Sequence, residues 1–179
     1  MPSDSGRTTS VWMDTALPDF PPLSANLRMN VCIIGAGITG MTAAYLLSRT
    51  GRAVVLIDDG PIGGGETGRT TAHLTAALDD RYYEIEKLHG REGARIAAAS
   101  HTAAIDRVET IVAVEDIACE FERLDGYLFL GGSGTRADIE RELEATHRAG
   151  LGNTAIVDRA PLDSGCYLRT SAVRLYPWR

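Results

Sequence analysis

The chain has 179 residues, and its 18 lysines and arginines against 24 aspartates and glutamates leave a formal charge of −6, which argues against a nucleic-acid-binding face. With 44% hydrophobic and 23% charged residues it falls among ordinary globular chains rather than disordered ones, and its length suits one domain. Its three cysteines, Cys32, Cys119 and Cys166, include no Cys-x-x-Cys pair, which argues against a disulfide framework or a zinc site and suits a reducing cytoplasm.

The opening MPSDSGRTTSVWMD has no basic segment followed by an apolar stretch and does not read as a secretory signal. Residues 1–28 hold four of the seven prolines, and proline denies the backbone a donor. An irregular arm is expected there, pinned by Trp12 and Phe20. The next twenty residues, 29–48, form an uncharged run long enough to cross a bilayer. Gly35, Gly37 and Gly40 interrupt it, with strand formers on their left and helix formers on their right. The break predicts a strand at 30–34 and a helix over 38–49 stopped by Gly51, rather than a membrane span. A second apolar strand, 53–58, completes a β-α-β unit with parallel strands.

Residues 60–68 carry five glycines in nine positions and read as a loop where backbone must approach something closely. Beyond it the pattern predicts a short helix over 70–77, then one over 81–89 capped by Asp79 or Asp80 and ended by Gly90. The clearest helix spans 92–115, with Ala94, Ala97, Ala98, His101, Ile105, Val108, Ile111 and Val112 on one stripe. Residues 121–130 contain Asp125-Gly126 and read as a tight hairpin or strand pair. A charged helix over 136–149, with a solvated acidic face, ends at Gly150 or Gly152, and a strand follows at 154–157. Residues 159–179 carry four arginines against one aspartate, show little periodicity and offer no convincing strand. Cys32, among strand apolars, reads as a small buried hydrophobe.

Gly35-Ala36-Gly37-Ile38-Thr39-Gly40 is a G-x-G-x-x-G that follows a strand and opens a helix, the context in which this pattern binds a dinucleotide. Gly35 makes the tight turn, Gly37 admits a pyrophosphate, and Gly40 lets helix and strand pack closely. Free amides near Ile38 and Thr39, with the helix dipole, favour an anion. Asp58, 18 residues past Gly40 at the end of the second strand, is placed to accept bonds from ribose hydroxyls, with Asp59 as its rival. An acid there disfavours a 2′-phosphate. The second loop, Gly63 to Thr71, offers hydroxyls, amides and one cation, and Arg69 with neighbouring threonines suits a second part of the pyrophosphate or a ribityl chain. The first motif alone leaves FAD and NAD open. The histidines His73, His89, His101 and His147 are scattered without a catalytic or metal spacing.

The segments VCIIGAGITGMTAAYLL, AVVLIDDG and GGGETGRTTAHL resemble the N-terminal part of the FAD-dependent oxidoreductases related to D-amino-acid oxidase and glycine oxidase. SVWMDTALPDFPPL, TGRTTAHLTAALDDRYYEIEKLHG and FERLDGYLFL resemble more narrowly the members with a C-terminal Rieske domain, over about Ser10 to Pro161. The resemblance implies an α/β fold: a Rossmann-like FAD-binding β-α-β start with inserted helices and part of a substrate domain, truncated. On that reading residues 1–28 are the arm, 29–158 a partial FAD-binding domain with its insertions, and 159–179 a divergent tail. It implies that Gly35, Gly37, Gly40 and Asp58 hold the ADP half of FAD, beside the Ile38 and Thr39 amides read above, and that Thr67, Gly68, Arg69, Thr70 and Thr71 lie along the flavin side. The implied reaction is oxidation of a small amine or amino acid by hydride transfer to the flavin, with no nucleic-acid or membrane partner and the oligomeric state left open. No cysteine is followed by a histidine two or three residues later, so the chain is not expected to hold the iron-sulfur cluster or another metal. It is expected to be a fragment that grips the cofactor without full activity. An NAD-dependent oxidoreductase and a non-catalytic dinucleotide-binding fragment are the alternatives.

Overall fold

In the computed structural model the described residues are 17–129, 134–158, 160 and 167–174, so Trp12 and Cys166 lie outside them. The chain divides into two compact units, Met1–Thr71 and Ala72–Arg179. Among the described residues no helix is long and apolar enough to cross a membrane.

In the first unit the uncharged run breaks into strand, turn and helix, as its change of residue type requires. Strand β1 is Val31–Ile34, helix α1 is Ile38–Ser48 and strand β2 is Val54–Ile57. The strands pair in parallel, with Val31 opposite Val54 and Ile34 opposite Ile57. Helix α1 meets them at Gly40, where a Cβ would overlap the carbonyl oxygen of Gly35 and stand 3.4 Å from Ile33 Cγ2. Ile33 therefore faces the helix, and strand alternation turns Cys32 and Ile34 to the opposite face. Ile34 is 83% exposed, and Cys32 is exposed too. That corrects the expectation of a buried Cys32: a parallel pair buries its residues only when both faces are covered, and α1 covers one.

The helix predicted over 70–77 does not form: a single 3-10 turn, Thr67–Arg69, precedes that stretch, and strand β3, His73–Thr75, in the second unit, lies within it. Three β-branched threonines in this stretch disfavour a helix, and Ala72 turns the backbone through a positive φ of 55°. Helix α2 runs from Tyr82 to Val114 with a kink at Gly90, whose φ of 71° and ψ of 172° are not helical. The kink falls where the sequence placed the end of one helix and the start of the next. Ala94, Ala98 and Ile105 of the expected stripe are buried, whereas His101 is exposed.

Strand β4, Glu122–Phe129, is continuous, so the expected hairpin at Asp125-Gly126 is corrected. Its eight residues pair antiparallel with strand β6, Tyr167–Arg174, placing Gly126 opposite Thr170 in mid-ladder. Four residues on either side of an Asp-Gly make a short ladder, and an eight-residue partner supplied from far along the chain outcompetes it. Strand β6 is also where no further strand was expected, and it is the centre of the second sheet. Its other edge takes β3 at Ala172–Arg174 and strand β5, Ala155–Val157, at Tyr167–Arg169.

Helix α3, Arg136–Arg148, begins with a capping box in which Thr135 and Asp138 bond reciprocally, and ends before Gly150. It packs against α2 through a core of Tyr82, Ile85, Ala94, Ala98, Ala145 and Ala149. Its acidic face is not wholly solvated: Glu142 is 5% exposed. The N-cap of α2 is Arg81, not Asp79 or Asp80, and no side chain of its own caps it. Glu142 does so from α3, accepting from the amides of Tyr82 at 2.9 Å and Tyr83 at 3.3 Å.

Candidate functional site

The site is built where β1 turns into α1. Gly35 donates its amide to Ile57 O at 2.8 Å and turns with φ of 102°, a conformation L side chains rarely adopt. Gly37 is the N-cap of α1, so the unpaired amides of the first turn open beside it. Asp58, at the end of β2, reaches back across the turn. One carboxylate oxygen accepts from Ala36 N at 2.6 Å and the other from Gly60 N at 2.7 Å. These two amides, Ala36 first, hold the Asp58 carboxyl below the usual carboxylate range. Each oxygen keeps further lone-pair capacity for a hydroxyl donor. Between the two candidates at this strand end, it is Asp58 that grips the turn.

The second glycine loop closes onto the first. Gly63 donates its amide to Ala36 O at 2.9 Å, and Thr67 Oγ1 accepts from Ile38 N at 2.9 Å. The Ile38 amide, expected to be free, is therefore capped by a hydroxyl 29 residues away. The 3-10 turn over Thr67–Arg69 is tightened by Arg69 N donating to Glu66 O at 3.0 Å. Gly68 approaches closely too: a Cβ there would stand 3.2 Å from Gly63 O. Thr39 is exposed in the first turn of α1, and Thr70 and Thr71 are exposed after the 3-10 turn. The structure thus brings Gly35, Gly37, Ile38, Gly40, Asp58, Thr67 and Gly68 together within the first unit, by hydrogen bonds at Gly35, Ile38, Asp58 and Thr67 and by close approach at Gly37, Gly40 and Gly68.

Two features test whether a dinucleotide diphosphate fits. A Cβ on Gly37 would stand 3.1 Å from Thr67 Oγ1, so a side chain there would fill the space between the helix terminus and the second loop. The Arg69 Nε is buried and has no hydrogen-bond partner among the described residues. A buried guanidinium N–H left unpaired is costly, and an anion is its natural acceptor. Together with the dipole at the α1 terminus, the residues fit the group. Sequence reasoning missed Ala36, Gly60 and Gly63 as members of the network. Asp58-Asp59-Gly60 carries the Asx-turn pattern that signals the Gly60 bond; nothing in the spacing signals the other two.

The FAD dependent oxidoreductase family, DAO, matches residues 30–176. The chain is 38% identical over 144 residues to the "Putative Rieske 2Fe-2S iron-sulfur protein YhfW" of Bacillus subtilis, covering 80% of this chain and 28% of that protein. It is 26% identical over 140 residues to the gamma-glutamylputrescine oxidoreductase of Escherichia coli, covering 78% and 32% respectively. Among solved structures, the L-amino acid deaminase from Proteus vulgaris superposes with a TM-score of 0.62 at 16% identity, over 90% of this chain and 37% of that one. The chain thus spans under a third of the length of these two curated relatives. It belongs to the DAO family of FAD-dependent oxidoreductases, and the match runs past the resemblance read from the sequence, through β6. Neither the family nor these relatives support the nicotinamide alternative.

Proposed function

We propose that the chain holds FAD by its ADP half between the two glycine loops, and that the flavin so held serves the oxidation of a small amine or amino acid at its C–H bond. The observation that carries this reading is the joining of the loops by Gly63 N to Ala36 O and Ile38 N to Thr67 Oγ1, together with a buried Arg69 Nε that has no hydrogen-bond partner among the described residues. Bound there, FAD supplies the acceptor for the hydride leaving the substrate carbon, and the imine is hydrolysed afterwards. The chain's own residues bind and orient. Gly37 and the α1 terminus face the diphosphate, Asp58 accepts from ribose hydroxyls, and Thr67, Gly68, Arg69, Thr70 and Thr71 run beside the flavin half. The substrate class is supported by the name of the gamma-glutamylputrescine oxidoreductase among the relatives. The free, sparse cysteines Cys32 and Cys119 support a cytoplasmic setting.

The exposed Ile34 and Cys32 face of the β1–β2 pair supports a further reading, that the 179-residue chain alone binds the cofactor without turning over. Hydride transfer depends on held geometry and exclusion of water. The test is titration with FAD followed by anaerobic mixing with a panel of amines and amino acids. One bound flavin per chain that keeps its visible absorption is the expected result. A chain that stays colourless would overturn the binding, and bleaching by an amine would assign the whole reaction to this chain.

A further inference from the structure

Residues 17–29 lead into β1 as neither strand nor helix, and their path bears on the site. At one end, Leu17 Cδ1 lies 3.5 Å from where a Cβ on Gly63 would stand, so this part of the arm lies against the second glycine loop. At the other, Leu27 and Met29 border Cys32 and Val55, on the face of the strand pair opposite α1. Between these ends Phe20, Pro21 and Pro22 line a cavity of about 890 Å³ whose other walls include Ala36, Asp58 and Gly60. Those last three are the residues joined through the Asp58 carboxylate. Phe20 is 60% exposed although it stands over this cavity.

An aromatic ring, prolines and a carboxylate line this one cavity, together with Met41, Ala44 and Tyr45 of α1 and the residues of β2, and a purine nucleoside, with flat π faces and hydroxyl donors on its sugar, matches that lining. Its volume lies in the range of small-molecule sites. The prolines fix φ along the wall, so little ordering entropy is lost when a ligand settles against it. We infer that the arm forms one wall of the adenosine subsite, with the Phe20 ring as the surface on which the adenine stacks and Asp58, which lines the same cavity, as acceptor for the ribose. This rests on the FAD reading above and adds to it a segment outside both glycine motifs.

The test is calorimetric titration of the full chain with FAD and with ADP, in wild type, Phe20→Ala and Phe20→Trp. A stacking contact predicts that Phe20→Ala weakens both ligands about tenfold. Phe20→Trp should bind both as wild type does, and ADP should quench its tryptophan emission beyond the quenching seen in wild type. Equal affinities in wild type and Phe20→Ala would overturn the role of the arm and leave the FAD cradle standing. Tight binding by Phe20→Trp with no added quenching would do the same. Wild type that binds neither FAD nor ADP would overturn the cradle and the arm together.

Discussion

Asp58 ties three backbone segments together: the strand it ends, the turn at Ala36 and the bend at Gly60. Its charge therefore holds the turn itself together. Asp58→Ala should weaken FAD by about tenfold or more, because a charged acceptor is lost; unchanged calorimetric affinity would remove Asp58 from the site. The pH dependence follows from the same bonds. The carboxyl is held below its ordinary value of 3.8 by the Ala36 and Gly60 amides, so its contribution to stability is present above 3.8 and is lost as pH falls through the lower folded value. The stability advantage of wild type over Asp58→Asn should shrink in denaturant titrations carried below that pH, and a constant difference would contradict it. Gly35, Gly37, Gly40 and Asp58 were legible in the sequence because each meets a demand set within a few residues: a turn, a close approach, a strand end. The pairing of Ile38 with Thr67 was not, because it joins segments 29 residues apart and is fixed only when the second loop folds back.

Helix α2 depends on a residue of another element. Glu142 of α3 caps its first amides, and Tyr82 closes the same corner by donating its hydroxyl to Ala76 O at 2.6 Å. Burial, with Glu142 nearby, pushes the Tyr82 phenol up to about 12. Glu142→Ala should cost about 1–3 kcal/mol in urea denaturation, since it leaves the buried Tyr82 amide unpaired. Burial also raises the Glu142 carboxyl above 4.5 against the pull of the two amides. Its contribution is accordingly complete below 4.5 and declines as pH rises through the folded value, opposite in sign to Asp58. Glu142→Gln should flatten stability over that window, and an unchanged pH slope would contradict the assignment.

Gly90 gives a further prediction, and helix propensity alone gets its sign wrong. Alanine in a straight helix would stabilise, but at φ 71° and ψ 172° it should destabilise by about 1–3 kcal/mol. A raised melting temperature for Gly90→Ala would show that the kink is dispensable. Of the elements, α1 was legible from its helix formers and Gly51, and α3 from its charged run and its stop at Gly150. Strands β4 and β6 were not, because an eight-residue ladder between distant segments leaves no local mark, and the Asp-Gly inside β4 imitates a turn.

At the scale of the chain, the first unit carries the two glycine loops and the second an antiparallel sheet centred on β6 with α3 packed on it. The β-α-β start was legible because strand, turn, helix, strand and acid follow one another without interruption. The second sheet was assembled from segments beginning at residues 73, 122, 155 and 167, and its order could not be read from any one of them. The central claim concerns the first unit: that its two loops form one cradle for FAD. The most direct measurement is calorimetric titration of FAD into wild type and Gly37→Val. A valine side chain would crowd Thr67 Oγ1 and fill the space before the α1 terminus while sparing Asp58. The account predicts one FAD per wild-type chain and none for Gly37→Val with the fold retained by circular dichroism. Equal binding by both proteins, or no binding by wild type, would contradict it.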